Sequence, residues 1–191
     1  MPLLDILRYV WPVFGVYWVA AGVTSKKSQT HESPAYRFVR LGILALVFLL
    51  LFWGRVAIGP LGHRFVPTAP AISYLGFAAT LIGLAIALWA RIHLGQFWSD
   101  KVVLKVDHQL IRSGPYACMR HPIYSGVLLG VLGTALVVGE WRGLLAFALL
   151  LTNYAIKAKK EERILSDRFR DDFREHQRRA GFLLPRLRVR G

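Results

Sequence analysis

Residues 43–53, Ile43-Leu44-Ala45-Leu46-Val47-Phe48-Leu49-Leu50-Leu51-Phe52-Trp53, carry no charged or turn-forming side chain. They form the centre of an apolar run over residues 36–58. A helix needs about 20 apolar residues to cross the hydrocarbon core of a bilayer, so this run reads as a membrane span. Working outward, residues 6–23 form an earlier apolar block. Pro12 and Gly15 lie inside it, and neighbouring helices can tolerate both. Trp11, Tyr17 and Trp18 are amphipathic and suit an interfacial position. A polar connection over residues 25–34 holds Lys26 and Lys27. Beyond the central run, Gly59-Pro60 and Gly62 break the pattern. A third block covers residues 71–90, where Gly76 and Gly83 allow a neighbouring helix to approach closely.

The second half of the chain changes texture. Residues 101–111 (KVVLKVDHQLI) alternate and are β-branched, which predicts a short extended segment or hairpin. Apolar blocks over 123–139 and 144–156 are short for full crossings. They flank a tight polar turn at Glu140-Trp141-Arg142-Gly143 and predict a closely packed helical hairpin. After residue 156 the chain is dense in charge of both signs, and Ile164, Leu165, Phe169 and Phe173 recur at helical spacing. That pattern predicts an amphipathic helix over 157–179 capping the bundle at the interface, ended by Gly181 and Pro185. The predicted fold class is therefore an all-α integral membrane protein of about five transmembrane helices. The last two form a tight hairpin, and a C-terminal amphipathic cytosolic helix follows. Residues 1–191 read as a single membrane domain, with three spans over 1–90 and a loop, hairpin and C-terminal helix over 91–191.

The chain has 191 residues, 54% of them hydrophobic, and a formal net charge of +14. Such a positive excess suits nucleic acid or a membrane surface. The apolar blocks select the membrane, and no nucleic-acid-binding motif is present. The single cysteine, Cys118, excludes a disulfide framework within one chain. Asp5 and Arg8 and the lack of a clear small-residue cleavage site make the first block a retained span. Lys and Arg mark the cytoplasmic loops. They occur at Lys26, Lys27, Arg37 and Arg40, at Arg91, Lys101, Lys105, Arg112 and Arg120, and after residue 156, where about half of them lie. Residues 59–70 hold only Arg64, and the Glu140 turn only Arg142. The expected orientation places the N-terminus outside and the C-terminus inside, in a bacterial inner membrane. No ionisable residue lies deep in a span, which weighs against a pump or transporter.

One polar stretch stands out, residues 108–126, HQLIRSGPYACMRHPIYSG. Gly114 permits close backbone approach to a ligand. Pro122 suits the first position of a helix, whose unpaired N–H groups attract an anion. Arg120 and His121 stand just ahead of it, so a carboxylate or phosphate is the expected guest. The plainer alternative is an Arg120 that contacts lipid phosphates and a His121 that caps a helix. Glu161 and Glu162 form a second feature, with Lys157 four residues before Glu161 on the same helix face. A bare acidic pair is ordinarily a solvated surface. Facing the His121 loop, it can instead accept hydrogen bonds from ribose hydroxyls or an amino group. His93, His108 and His121 match no metal-binding spacing, so no metal is expected. They do raise the alternative of a non-catalytic, haem-associated or assembly membrane protein. Ser125 lacks the setting of a serine nucleophile.

Taken in order, these residues resemble the isoprenylcysteine carboxyl methyltransferase family, in the wide sense that includes its bacterial relatives. The matching features are Arg91, Leu94-Gly95-Gln96-Phe97-Trp98-Ser99, His108 with Leu110, and Gly114-Pro115-Tyr116. Arg120-His121-Pro122 with Tyr124 and Gly126 follows, then Glu161-Glu162 and the Phe169–Phe173 helix. Membrane phospholipid and thiol methyltransferases are similar in the same region. The resemblance implies an integral membrane enzyme that uses S-adenosylmethionine without a Rossmann fold. Its substrate would be a lipophilic small molecule or lipidated acceptor entering from the bilayer. The carboxylate of a prenylcysteine-like substrate comes first, with a thiol or lipid amine as alternatives. By motif position, His108 and Leu110 would line the adenine and ribose, and Tyr116, His121 and Tyr124 the methionine part. Glu161 or Glu162 would bind polar cofactor groups, and Arg120 would position the loop or the cofactor carboxylate. Gln96, Gly114 and Pro122 belong to the same cofactor-binding set, and Glu161 and Lys157 are the catalytic candidates. Lys157 stands where prenylcysteine-directed members often have an arginine, and a lysine lacks the bidentate fork. His176-Gln177 stands where a tyrosine is frequent. Most of the rate would come from positioning the two reactants in a site closed to water.

Overall fold

The computed structural model describes residues 2–23, 34–95 and 110–186. The Lys26-Lys27 connection, the segment 101–109 and the site candidates Gln96 and His108 lie outside the described residues. Among the described residues five α-helices carry the architecture: α1 (Pro2–Val23), α2 (Pro34–Phe52), α3 (Pro70–Leu94), α4 (Pro122–Val138) and α5 (Trp141–Arg179). The first three are long and apolar enough to cross a membrane. The 25 residues of α3 reach about 38 Å at 1.5 Å per residue, beyond the ~30 Å hydrocarbon core. The 17 residues of α4 reach only about 26 Å.

The shortest helix is nonetheless the most enclosed. Twelve of its residues are buried, from Pro122 to Val138. The sequence says why, because α4 is apolar around its whole circumference and has no face to offer water. It lies against α3 almost backbone to backbone. A Cβ added at Gly83 would stand 2.5 Å from the carbonyl oxygen of Gly126 and from the nitrogen of Gly130. Small residues in register thus replace side-chain interdigitation along this seam. The core continues through Leu7, Trp11, Val47, Leu50, Leu51, Val131, Ala146 and Leu150, joining α1, α2 and α5 to the pair.

Three features differ from the sequence reading. Trp11 is 4% exposed and sits in the core, where its indole N–H donates to Thr134 Oγ1 at 3.0 Å. Thr134 in turn donates to the Gly130 carbonyl at 2.9 Å. The partner on α4 lets an indole be buried with its N–H satisfied, so the interface is not required. The second run stops as a helix at Phe52, short of Ile58, because Trp53 turns extended and 3-10 turns follow at Gly54–Val56 and Gly59–Gly62. Arg142 covers that end, donating to the carbonyls of Leu50 (2.6 Å) and Leu51 (3.2 Å) and to Glu140 (2.6 Å). It supplies donors to terminal carbonyls that have no intrahelical partner. Finally, the 144–156 block and the charged 157–179 segment are one 39-residue helix, broken only at Arg170 with φ 42° and ψ −109°. That break redirects the last nine residues.

Candidate active site

The site forms where α3 hands the chain to α4. Gly114 has φ +58°, and a Cβ there would meet the His93 ring at 2.7 Å. Glycine is therefore required twice, for the backbone conformation and for space. His93 Nε2 lies 2.9 Å from Ser113 Oγ, fixing the ring against that turn. Tyr116 follows, buried, with its hydroxyl 3.5 Å from the Ala90 carbonyl. Burial, reinforced by the nearby charge of Glu161, raises its phenol well above the ordinary value. Pro122 opens α4, so the N–H groups of Ile123 and Tyr124 begin the helix without intrahelical acceptors.

The decisive geometry is the meeting of this turn with α5. Arg120 Nε donates to Glu162 Oε1 at 2.6 Å. His121 Nε2 lies 3.2 Å from the same oxygen. A carboxylate only accepts, so Nε2 is the donor in this contact. Tyr124 donates from its hydroxyl to Glu161 Oε1 at 2.6 Å. His121 Nδ1 is 3.7 Å from Glu161 Oε2, and Lys157 Nζ is 4.0 Å from Glu161 Oε1. The His121 and Tyr124 rings stack at 5.5 Å and 6°. Tyr154 joins them, its ring 4.7 Å from that of Tyr124. The Lys157 ammonium sits 5.3 Å from the Tyr124 ring centroid and is 4% exposed. Residues 154, 157 and 161 share one helix face, so a single stripe of α5 presents a phenol, an ammonium and a carboxylate.

Glu162 and His176 also have shifted acidities. Burial pushes the Glu162 carboxyl upward, but hydrogen bonds from His121 and Arg120 outweigh it and hold the group below the ordinary carboxylate range. His176 is 4% exposed. Burial lowers it to about 4, with the Arg112 and Arg120 charges adding to the effect. Arg112 joins the loop to the end of α5 through Asp172 (2.7 Å) and Glu175 (3.3 Å).

Of the sequence candidates, the structure brings Arg120, His121, Tyr124, Lys157, Glu161 and Glu162 into one cluster. Pro122 is buried at its edge. Gly114 and Tyr116 form the neighbouring turn against α3. Leu110 is half-buried at the start of the described loop. Tyr154 and Phe182 belong to the cluster and were not singled out; Gln177 belongs to it too, and the sequence marked it only as standing, with His176, where a tyrosine is frequent. Tyr154 carried a signal, its i, i+3, i+7 register with Lys157 and Glu161. Gln177 donates to Glu162 Oε2 at 3.4 Å. Among the described residues no group of three His, Cys, Asp or Glu can hold a metal ion.

A helical bundle with membrane-length apolar helices and a cationic–anionic–aromatic cluster at one end defines an integral membrane protein with a polar site. Residues 71–172 match the model of the phospholipid methyltransferase family. The chain belongs to that family. It is 30% identical over 125 residues to the protein-S-isoprenylcysteine O-methyltransferase of Schizosaccharomyces pombe, covering 64% of this chain and 52% of that protein. A probable protein-S-isoprenylcysteine O-methyltransferase of Oryza sativa subsp. indica is 30% identical over 117 residues, covering 60% and 61%. The chain thus spans little more than half the length of these relatives. A solved structure of the eukaryotic intramembrane Ras methyltransferase ICMT shares the fold. It has a TM-score of 0.53 and 20% identity, over 82% of this chain and 54% of that one.

Proposed function

We propose that this chain is an integral-membrane methyltransferase that uses S-adenosylmethionine and methylates a lipophilic acceptor, foremost the carboxylate of a prenylcysteine-like molecule. The observation that carries this reading is the contact of the Arg120–Tyr124 turn with Glu161 and Glu162, about 40 residues further along the chain. The names of the similar proteins support it. The donor set fits the cofactor. Carboxylates accept from ribose hydroxyls and an ammonium group, and the faces of Tyr124 and Tyr154 attract a sulfonium cation. When bound, the cofactor supplies an electrophilic methyl group.

The chain's own residues then have separable tasks. Glu161 and the Tyr124 hydroxyl hold the polar part of the cofactor, with His121, Tyr116 and Gly114 shaping its wall. Lys157, buried beside them, pairs with the acceptor carboxylate and brings it into line; positioning of this kind supplies much of a displacement reaction's rate. Low exposure keeps water from the reacting groups. A carboxylate nucleophile is already ionised at neutral pH, so no general base is required. The site lies on the cytoplasmic side of a bacterial inner membrane, within a single membrane domain, and the acceptor arrives laterally from the bilayer. The test is transfer of labelled methyl from S-adenosylmethionine into membrane lipid extract and into a prenylcysteine analogue, read by mass spectrometry. Label in the analogue supports the carboxylate. Label only in a thiol or a lipid amine moves the acceptor class. No label in any fraction overturns the reading.

A further inference from the structure

The last described stretch, residues 180–186, lies beyond the 71–172 match and returns over the site as a strap. Its course is pinned by backbone contacts. The Gly181 and Arg186 N–H groups both donate to the Cys118 carbonyl at 3.0 Å, and the Arg120 N–H donates to the Gly181 carbonyl at 2.8 Å. Ser125 Oγ donates to the Leu183 carbonyl. Arg186 Nη1 reaches back to the Arg178 carbonyl at 2.8 Å. From this strap Phe182 projects onto the two residues just ahead of α4. Its ring meets that of His121 edge-on at 5.3 Å and 77°. It also lies 5.7 Å from the guanidinium carbon of Arg120.

We propose that Phe182 is a positioning residue for the methyl-donor site, acting through His121 and Arg120. The inference rests on the cofactor reading above. His121 is held on one side by the parallel ring of Tyr124 and on another by the edge contact with Phe182, leaving Nε2 aimed at Glu162. Arg120 is committed to protein groups: Nε to Glu162, and Nη1 to the carbonyls of Gln177 and Ala180. Arg120 is therefore a brace that ties the turn, α5 and the strap together, and the cofactor carboxylate falls to other donors. Removing the Phe182 ring loosens the imidazole and the guanidinium together, since both lean on it.

The experiment is calorimetric titration of the purified full chain in detergent with S-adenosylhomocysteine. Phe182→Ala is expected to bind about tenfold more weakly than wild type, the loss of one aromatic pair and one cation–π contact. Phe182→Tyr, which keeps the ring, is expected to return affinity to within about twofold of wild type. Gly181→Ala removes no site side chain, but its Cβ would collide with the Leu184 carbonyl. It too is expected to weaken binding about tenfold, by displacing the ring. Nuclear magnetic resonance of histidine-labelled protein should show the His121 ring signals moved in Phe182→Ala and restored in Phe182→Tyr. If Phe182→Ala is not recovered folded, Phe182→Leu takes its place, with weaker binding expected at an unchanged melting temperature. Wild-type affinity in the Ala or Leu variant overturns the inference, as does a Phe182→Tyr protein as weak as Phe182→Ala. A wild-type protein that does not bind overturns instead the cofactor reading beneath it.

Discussion

Replacing Glu162 by alanine removes the acceptor on which three side chains converge. Its carboxylate takes Arg120 Nε at 2.6 Å, His121 Nε2 at 3.2 Å and Gln177 Nε2 at 3.4 Å. Arg120 and Glu162 are 12% and 15% exposed, so solvent screens the pair only slightly. Breaking a buried pair by removing one partner costs about 3–5 kcal/mol, because the other charge is left uncompensated. Arg120 keeps its contacts to the Gln177 and Ala180 carbonyls, which places Glu162→Ala at the lower end, about 3 kcal/mol. For a chain of this size that is a fall in melting temperature of about 6–12 °C. The assay is a thermal melt in detergent followed by the intrinsic fluorescence of the six tryptophans. Arg120→Met should cost a similar amount, and Arg120→Met/Glu162→Ala only about 1 kcal/mol more than either alone, a coupling of about 2 kcal/mol. Additive single effects would refute the reasoning. Acid gives a second check. Glu162 has a folded-state pKa below its ordinary 4.5. Its contribution is therefore complete above the unfolded value and lost as pH falls through the folded one. The gap between wild type and Glu162→Ala should close in that window.

Gly83→Val should part α3 from α4. Its Cβ would enter within 2.5 Å of backbone on α4, an overpacking expected to cost about 3 kcal/mol and to reduce the recovered monodisperse fraction in size-exclusion chromatography. His176 has a folded pKa of about 4 against an ordinary 6.5. The unfolded chain therefore takes the proton first, and stability is lost as pH falls from 6.5 towards 4. His176→Phe should flatten that limb of a melting-temperature profile, whereas an unchanged limb assigns it elsewhere. Arg170 holds φ 42° inside α5. Arg170→Gly should relieve about 1 kcal/mol of backbone strain and raise the melting temperature by about 2–4 °C.

The helices were legible because apolar runs of bilayer length have few other uses. Gly76 and Gly83 announced a close approach to α3 and Pro122 the start of α4, but that the approaching helix is α4, through Gly126, Gly130 and Gly133, was not legible. Half of the site was readable as well, since the Arg120-His121-Pro122 turn and Glu161-Glu162 are local patterns. Contacts that depend on distant registration left no local trace. Trp11 is buried because Thr134, 123 residues away, accepts its N–H. Arg142 covers the end of α2 across 92 residues. Gln177 reaches Glu162 only after the helix breaks at Arg170, a residue whose identity gives no hint of positive φ. Phe182 reads in sequence as one more apolar residue near the end of the chain.

The central claim is that the histidine–proline turn and the glutamate pair together hold a sulfonium nucleoside. Calorimetric titration of the wild-type chain with S-adenosylhomocysteine, beside His121→Ala and Glu161→Ala, tests it most directly. The account predicts saturable one-site binding by the wild type, weakened at least about tenfold in both variants by the loss of a charge-assisted contact. Absence of binding by the wild type at millimolar ligand would contradict it. Unaltered affinity in both variants would place any bound nucleoside elsewhere in the bundle.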